Sequence, residues 1–263
     1  MIKKRLLKGL SVLITRPEGQ GRSLGDAITK AGGKPVFFPL LRITPIQDEQ
    51  SQAQVRKTIQ RLDNYDMAIF ISSNAVKYGL EWVNQYWPQF PRGLKVFAIG
   101  PVTAEALDGI ELNVISSPSG MQSEDLLSLP ELQHVAGVKI ALFRGRGGRE
   151  LLANTLRDRG ALIDCIETYD RAIPDYGPKD LITSISGNDI NVLCVTSLQI
   201  LDSLCQLVDI NKGSISLLPL LVPSERIRQA ALAAGFLHVF NSAGATDQAI
   251  LSGLEIVASN QHS

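Results

Sequence analysis

Two stretches of the 263-residue sequence place hydroxyls and backbone amides where a strand gives way to a helix: Ser72-Ser73-Asn74-Ala75 and Thr196-Ser197. The first amides of a helix lack partners and its macrodipole is positive there, so such a start binds anions. The same serines also serve simply as helix N-caps, with Ser73 and Ser197 as the capping residues. Gly100-Pro101-Val102-Thr103 and Val222-Pro223-Ser224-Glu225 repeat this strand-to-helix turn, with proline suited to a first helical turn. The segment Arg144-Gly145-Arg146-Gly147-Gly148-Arg149-Glu150 sets three arginines among glycines. Guanidinium forks hold carboxylates bidentately while glycine lets a ligand approach the backbone, and the competing reading is a solvated basic loop. Arg16, at the end of the first apolar run, opens a similar turn.

The 144 to 150 turn also invites a dinucleotide reading, since it follows a strand, opens a helix and has Asp164 about 20 residues after its first glycine. Glu150 stands where the third glycine of that fingerprint belongs, adding bulk and negative charge beside a pyrophosphate, so an oxidoreductase reading is disfavoured. Neither His134, His238 nor His262 shows metal-ligand spacing, and no G-x-S-x-G elbow or P-loop is present. Cys165, Cys194 and Cys205 are odd in number with no C-x-x-C spacing, which suits reduced buried thiols of a cytoplasmic protein. Tyr169 is an aromatic hydroxyl at the far end of an α/β segment, and by pattern alone it is a structural strand residue.

Positioning these loops falls to short apolar runs that alternate with amphipathic segments, a pattern of parallel strands and crossover helices that makes the class α/β. The runs lie at 10–15, 34–39, 67–72, 95–100, 139–144, 161–169, 191–197 and 220–224. Basic and acidic residues number 26 each, so no global field draws nucleic acid or an anionic membrane, and any anion site is local. The apolar run from Leu10 to Ile14 is too short for a signal segment, and LLPLLVP at 217–223 is far below a membrane span.

The chain also repeats itself. LITRPEGQGRSLGDAITKAGGKPVFFPLLRI aligns with ALFRGRGGRELLANTLRDRGALIDCIETYDR, which sets Arg16 over Arg144 and Arg22 over Arg149. FISSNAVKYGLEWV aligns with CVTSLQILDSLCQLV, and AIGPVTAEALDG with LLVPSERIRQAALAAG, which sets Ser73 over Ser197 and Pro101 over Pro223. The order is A, B, A′, B′, and sequence leaves open whether A joins B or B′ in space.

ITRP with its following glycine, FISSNAV, AIGPVTAEAL, LFRGRGGRELL, ETYDR, VTS and SAGATDQAI together resemble the uroporphyrinogen-III synthase family in order and spacing over nearly the whole chain. The resemblance implies two similar parallel-sheet α/β domains, flavodoxin-like, joined by a two-stranded antiparallel β-ladder. Residues 1–39 plus 175–263 would form domain 1, 47–167 an inserted domain 2, and 40–46 and 168–174 the linker strands, so that A joins B′. It further implies a cytoplasmic monomeric lyase with no cofactor, no metal, and neither nucleic acid nor membrane as partner. In the cleft between its domains, linear hydroxymethylbilane would close to uroporphyrinogen III with loss of water and ring inversion through a spiro intermediate. Tyr169 matches the family's tyrosine proposed to assist departure of the hydroxyl group. Arg16, Ser72, Ser73, Asn74, Ala75, Gly100, Pro101, Thr103, Arg144, Gly145, Arg149, Thr196, Ser197, Ser224, Ser242 and Thr246 would hold the substrate's carboxylates. A non-catalytic two-lobed module that binds a polyanion would present the same loops, and only turnover separates the two.

Overall fold

The computed structural model describes residues 6–108, 113–117, 123–148, 150–210 and 214–261. Arg149 and His262 therefore lie outside the described residues. The chain divides into two compact units, Met1–Ile43 with Ala172–Ser263, and Thr44–Arg171.

The first unit carries strands β1 (Ser11–Ile14) and β2 (Lys34–Phe37), and after the inserted unit β9 (Val192–Cys194), β10 (Leu220–Val222) and β11 (Val239–Asn241). Its helices are α1 (Arg22–Lys30), α7 (Pro178–Gly187), α8 (Leu198–Leu207), α9 (Glu225–Ala233) and α10 (Asp247–Gln261). The sheet runs β11-β10-β9-β1-β2 with every pairing parallel. Val12–Ile14, Val192–Cys194 and Leu220–Val222 form buried apolar runs because helices cover both faces, as parallel sheets require, while Ser11, Lys34 and Asn241 stand at strand ends. Side chains alternate between the two cores: Leu13, Leu193, Val195, Leu220 and Val222 enter one, and Val12, Ile14, Val192, Cys194 and Leu221 the other.

The second unit carries β4 (Met67–Phe70), β5 (Lys95–Ala98), β6 (Val114–Ser116), β7 (Lys139–Gly145) and β8 (Leu162–Ala172), with β3 (Arg42–Pro45) entering its sheet. Its helices are α2 (Glu49–Ile59), α3 (Ser73–Tyr86), α4 (Pro101–Glu105), α5 (Ser123–Leu127) and α6 (Leu151–Asp158). The sheet order is β3-β8-β7-β4-β5-β6, again parallel from β8 to β6. Phe70 and Phe143 stack at 4.4 Å on one face, closely packed against α3 at Gly79, where a β-carbon would stand 2.8 Å from the Phe143 ring.

The repeat explains both topologies. The spatial order β2-β1-β9-β10-β11 matches β8-β7-β4-β5-β6, so A joins B′ and A′ joins B. The first unit has the flavodoxin-like order 2-1-3-4-5, and the second reaches the same arrangement with its chain order permuted. In each sheet the strand order reverses once, between β1 and β9 and between β7 and β4. At such a switch the loops leaving the two carboxyl ends diverge and open a crevice, the ordinary ligand position of an α/β sheet. No helix among the described residues is long and apolar enough to cross a membrane.

Candidate functional site

Both switch points lie between an arginine-bearing A-type loop and a hydroxyl-bearing B-type loop. In the first unit, Thr15 and Arg16 leave β1 beside Thr196 and Ser197 leaving β9, with Ile14 in register with Cys194. Thr15, fully buried, donates its hydroxyl proton to the Cys194 carbonyl at 2.6 Å, which ties the two loops together. Ser197 is the N-cap of α8, its Oγ accepting from the Ile200 amide at 3.2 Å. Ser224 caps α9 in the same way from the Ile227 amide at 3.4 Å.

Ser242 follows β11 and is 9% exposed, its hydroxyl directed to the carbonyls of Val222 and Gly244 at 3.1 and 2.8 Å. Thr246 is exposed and accepts from the Ala249 amide at 3.3 Å at the start of α10. Arg16 is drawn to this end of the chain, donating to the Asp247 carboxylate and to the Ala245 carbonyl, both at 2.6 Å.

In the second unit the N-cap of α3 is Ser72, whose Oγ accepts from the Ala75 amide at 3.1 Å, and Ser73 is the first helical residue. The repeat alignment therefore slips by one: Ser72, not Ser73, is the counterpart of Ser197. The cap needs extended backbone, and Ser72 has φ −166° and ψ 163° where Ser197 has −153° and 159°. The prolines correct likewise. Pro101 occupies the first turn of α4, entered from Gly100 at φ +77°, a left-handed geometry that glycine adopts freely, whereas Pro223 precedes the Ser224 cap and lies outside α9. Thr103 is buried at 5% exposure.

Arg144 is not on the turn but inside β7, 1% exposed. Its guanidinium meets Glu150 at 2.8 Å, donates to the Gly148 carbonyl, and has Glu167 at 3.8 Å from Nε, which makes no hydrogen bond. Burial opposes the charge, but Glu150, helped by Cys165, raises the guanidinium above its ordinary value. Arg146 lies on the turn and donates to Asp48 and to Ser51 at 2.8 Å, with Asp170 at 3.3 Å. Its hydrogen bond holds Asp48 well below the carboxylate range. Asp164, which the dinucleotide reading needed, accepts instead from the Tyr65 hydroxyl at 2.5 Å.

Tyr169 is fully buried on β8. Gly145 lies against its ring, Tyr78 packs on it at 5.6 Å between centroids, and its Oη lies 3.1 Å from Ser72 Oγ and 2.9 Å from Arg171 Nη2. The structure thus joins Ser72, Gly145 and Tyr169 at one switch point, and Arg16 and Ser197 at the other. Arg171 was not singled out from the sequence, nor were Asp247 and Asp48. Residues two apart on a strand share a face, so the Tyr169-x-Arg171 spacing in ETYDR carried that signal. No group of three His, Cys, Asp or Glu among the described residues could hold a metal ion.

Two α/β sheets, each with a serine-capped helix start at its switch point, define a two-unit α/β protein. The chain belongs to the uroporphyrinogen-III synthase family, cyclising hydro-lyases of haem biosynthesis: the family model described as uroporphyrinogen-III synthase HemD matches residues 22–252. It is 34% identical to the uroporphyrinogen-III synthase of Proteus mirabilis over 196 residues, 74% of this chain and 97% of that one. With the Escherichia coli enzyme of the same name it shares 32% over 249 residues, 94% of this chain and all of the other. Its fold is like that of a Thermus thermophilus uroporphyrinogen III synthase, with TM-score 0.64 at 16% identity over 96% of this chain and all of that one. The Helicobacter pylori protein gives 0.56 at 11% identity, covering 92% and 96%.

Proposed function

We propose that the chain closes hydroxymethylbilane to uroporphyrinogen III, expelling water and inverting the terminal pyrrole ring through a spiro intermediate. Membership of the family supports the reading, and the observation that carries it is the paired switch points, each with a serine capping the following helix, Ser72 and Ser197. Much of the reactivity resides in the pyrroles, so the work of the protein is to hold a flexible polycarboxylate until the correct carbon attacks.

Backbone amides and hydroxyls at the starts of α3, α8 and α9 serve the acetate and propionate groups without a large net charge. Asn74, Ala75 and Thr196 adjoin those starts, while Gly100, Pro101, Thr103, Ser242, Thr246 and Arg149 complete the proposed set. Arg16 and Arg144 already hold Asp247 and Glu150, so they receive a substrate carboxylate only by exchanging a partner. Tyr169 is tied to departure of the hydroxyl group. The reaction proceeds without metal or cofactor in a cytoplasmic monomer, with neither nucleic acid nor membrane as partner.

The test is a coupled assay in which hydroxymethylbilane made in situ is fed to the purified chain and the isomers of the oxidised product are resolved by chromatography. A predominance of isomer III with nothing else added is the expected result. Isomer I alone, at the spontaneous rate, would leave a module that binds a polyanion without turning it over.

A further inference from the structure

We infer that the Ser72 hydroxyl is the proton donor that meets the departing oxygen, and that Tyr169 and Arg171 are positioning residues that polarise it from behind. The inference rests on the reaction proposed above. Its basis is the direction of the hydrogen bonds around a fully buried phenol, which follows from counting donors.

A guanidinium can only donate, so Arg171 Nη2 occupies a lone pair of Tyr169 Oη at 2.9 Å. Among the described residues the only other hydrogen-bond partner of that oxygen is Ser72 Oγ, at 3.1 Å. If Ser72 donated to Tyr169, the phenol proton would be left buried without an acceptor, a costly arrangement. The phenol therefore donates to Ser72. Ser72 Oγ also accepts from the Ala75 amide, which fills its second lone pair. Its own proton is then the unspent one, and Ser72 is half-buried where Tyr169 has no exposure. The polarity runs Arg171 to Tyr169 to Ser72 and outward.

Arg171 is equipped for this end of the chain. Arg16, Arg144 and Arg146 each face a carboxylate, whereas none among the described residues pairs with Arg171, whose guanidinium lies 5.3 Å from the centre of the Tyr169 ring. As the hydroxymethyl C–O bond breaks, its electron pair leaves on oxygen and the pyrrole nitrogen supplies electrons to the carbon. The Ser72 proton passes to that oxygen, water departs, and the Tyr169 proton moves to Ser72. The phenolate is held by Arg171 until the proton released from the terminal pyrrole carbon at ring closure restores it. Overall the substrate loses one hydroxyl and one hydrogen, and the protein is unchanged.

The experiment measures kcat and KM for isomer III with wild type, Ser72→Gly, Tyr169→Phe, Arg171→Gln, Arg171→Lys and the Ser72→Gly/Tyr169→Phe double variant, each checked by thermal unfolding. Glycine retains most of the capping preference without the hydroxyl, so Ser72→Gly separates chemistry from helix stability. We expect Ser72→Gly to lower kcat by roughly 100-fold or more with KM little changed, in the range of general acid catalysis. Tyr169→Phe and Arg171→Gln each fall about tenfold, Arg171→Lys recovers most of that, and Tyr169→Phe costs nothing further once Ser72 is glycine. Multiplying losses in the double variant, or a Tyr169→Phe loss larger than that of Ser72→Gly, would overturn the relay while isomer III from wild type left the proposed reaction standing. Isomer I alone from wild type overturns both.

Discussion

Gly145 lies flat against the ring of Tyr169: a β-carbon on the glycine would stand 2.5 Å from Cε2 and 2.7 Å from Cζ. Both contacts are shorter than carbon atoms tolerate, and the ring is boxed in by Tyr78 on another side. The pairing of β7 with β8 shifts register between Arg144 and Gly145, which brings Gly145 opposite Tyr169. Gly145→Ala is therefore expected to destabilise the protein by about 1–3 kcal/mol, as overpacking does, and to move the phenol from Ser72. Thermal unfolding and the isomer assay check it together, and a variant of unchanged stability and turnover would show that the ring yields freely.

Arg144 separates a structural from a binding role. Its guanidinium is 1% exposed and held by Glu150, so truncation removes a large buried side chain and strands its partners, whereas a ligand-facing arginine is lost with little effect on folding. Arg144→Met is expected to lower stability by about 1–3 kcal/mol, the cost of leaving the Gly148 carbonyl without its charged donor, since Glu150 is 55% exposed and solvated without its partner. Denaturant unfolding measures that loss. A rise in KM at unchanged stability would instead place Arg144 on the substrate.

The acid limb of stability should report Asp48. This carboxylate accepts from Arg146 and Ser51 and caps α2 through the Ser51 amide at 2.9 Å, so its folded-state value lies well below the ordinary 3.8. A depressed carboxylate contributes stability that is present above its unfolded value and is lost as pH falls toward the folded one. The contribution therefore fades from about pH 4 downward. Unfolding curves at pH 7 and at pH 3 for wild type and Asp48→Asn should converge as the pH drops. An equal gap at both would remove Asp48 from the acid response.

Most of the strands were legible because each is a short apolar run closed by glycine, proline or a hydroxyl residue. β6, with three half-buried residues at a sheet edge, carries no such contrast. The internal repeat identified the two loop types but misplaced the capping serine of α3 by one position, since SSNA offers two hydroxyls and only backbone geometry distinguishes them. What sequence could not supply was the partners. Arg16 meets Asp247 across 231 residues, and Arg146 meets Asp48 across 98, so each arginine has an internal carboxylate partner that the sequence pattern does not show. Only the fold brings such distant positions together.

Ser197 offers the sharpest separation of capping from binding, because it is half-buried and its Oγ contact within the chain is to the Ile200 amide at 3.2 Å. Loss of an N-cap costs about 1 kcal/mol for alanine and only a few tenths for glycine, since glycine tolerates the extended cap geometry and leaves the amides to water. If Ser197 only caps α8, Ser197→Ala should lower stability measurably, Ser197→Gly much less, and turnover should follow stability in both. If its hydroxyl and the amides behind it hold a substrate carboxylate, both variants should raise KM several-fold irrespective of that difference. We expect the second pattern, because Ser197 caps the helix that leaves the sheet where the strand order reverses between β1 and β9, the ordinary ligand position of an α/β sheet. KM values that track thermal stability across the pair would assign Ser197 to the helix alone.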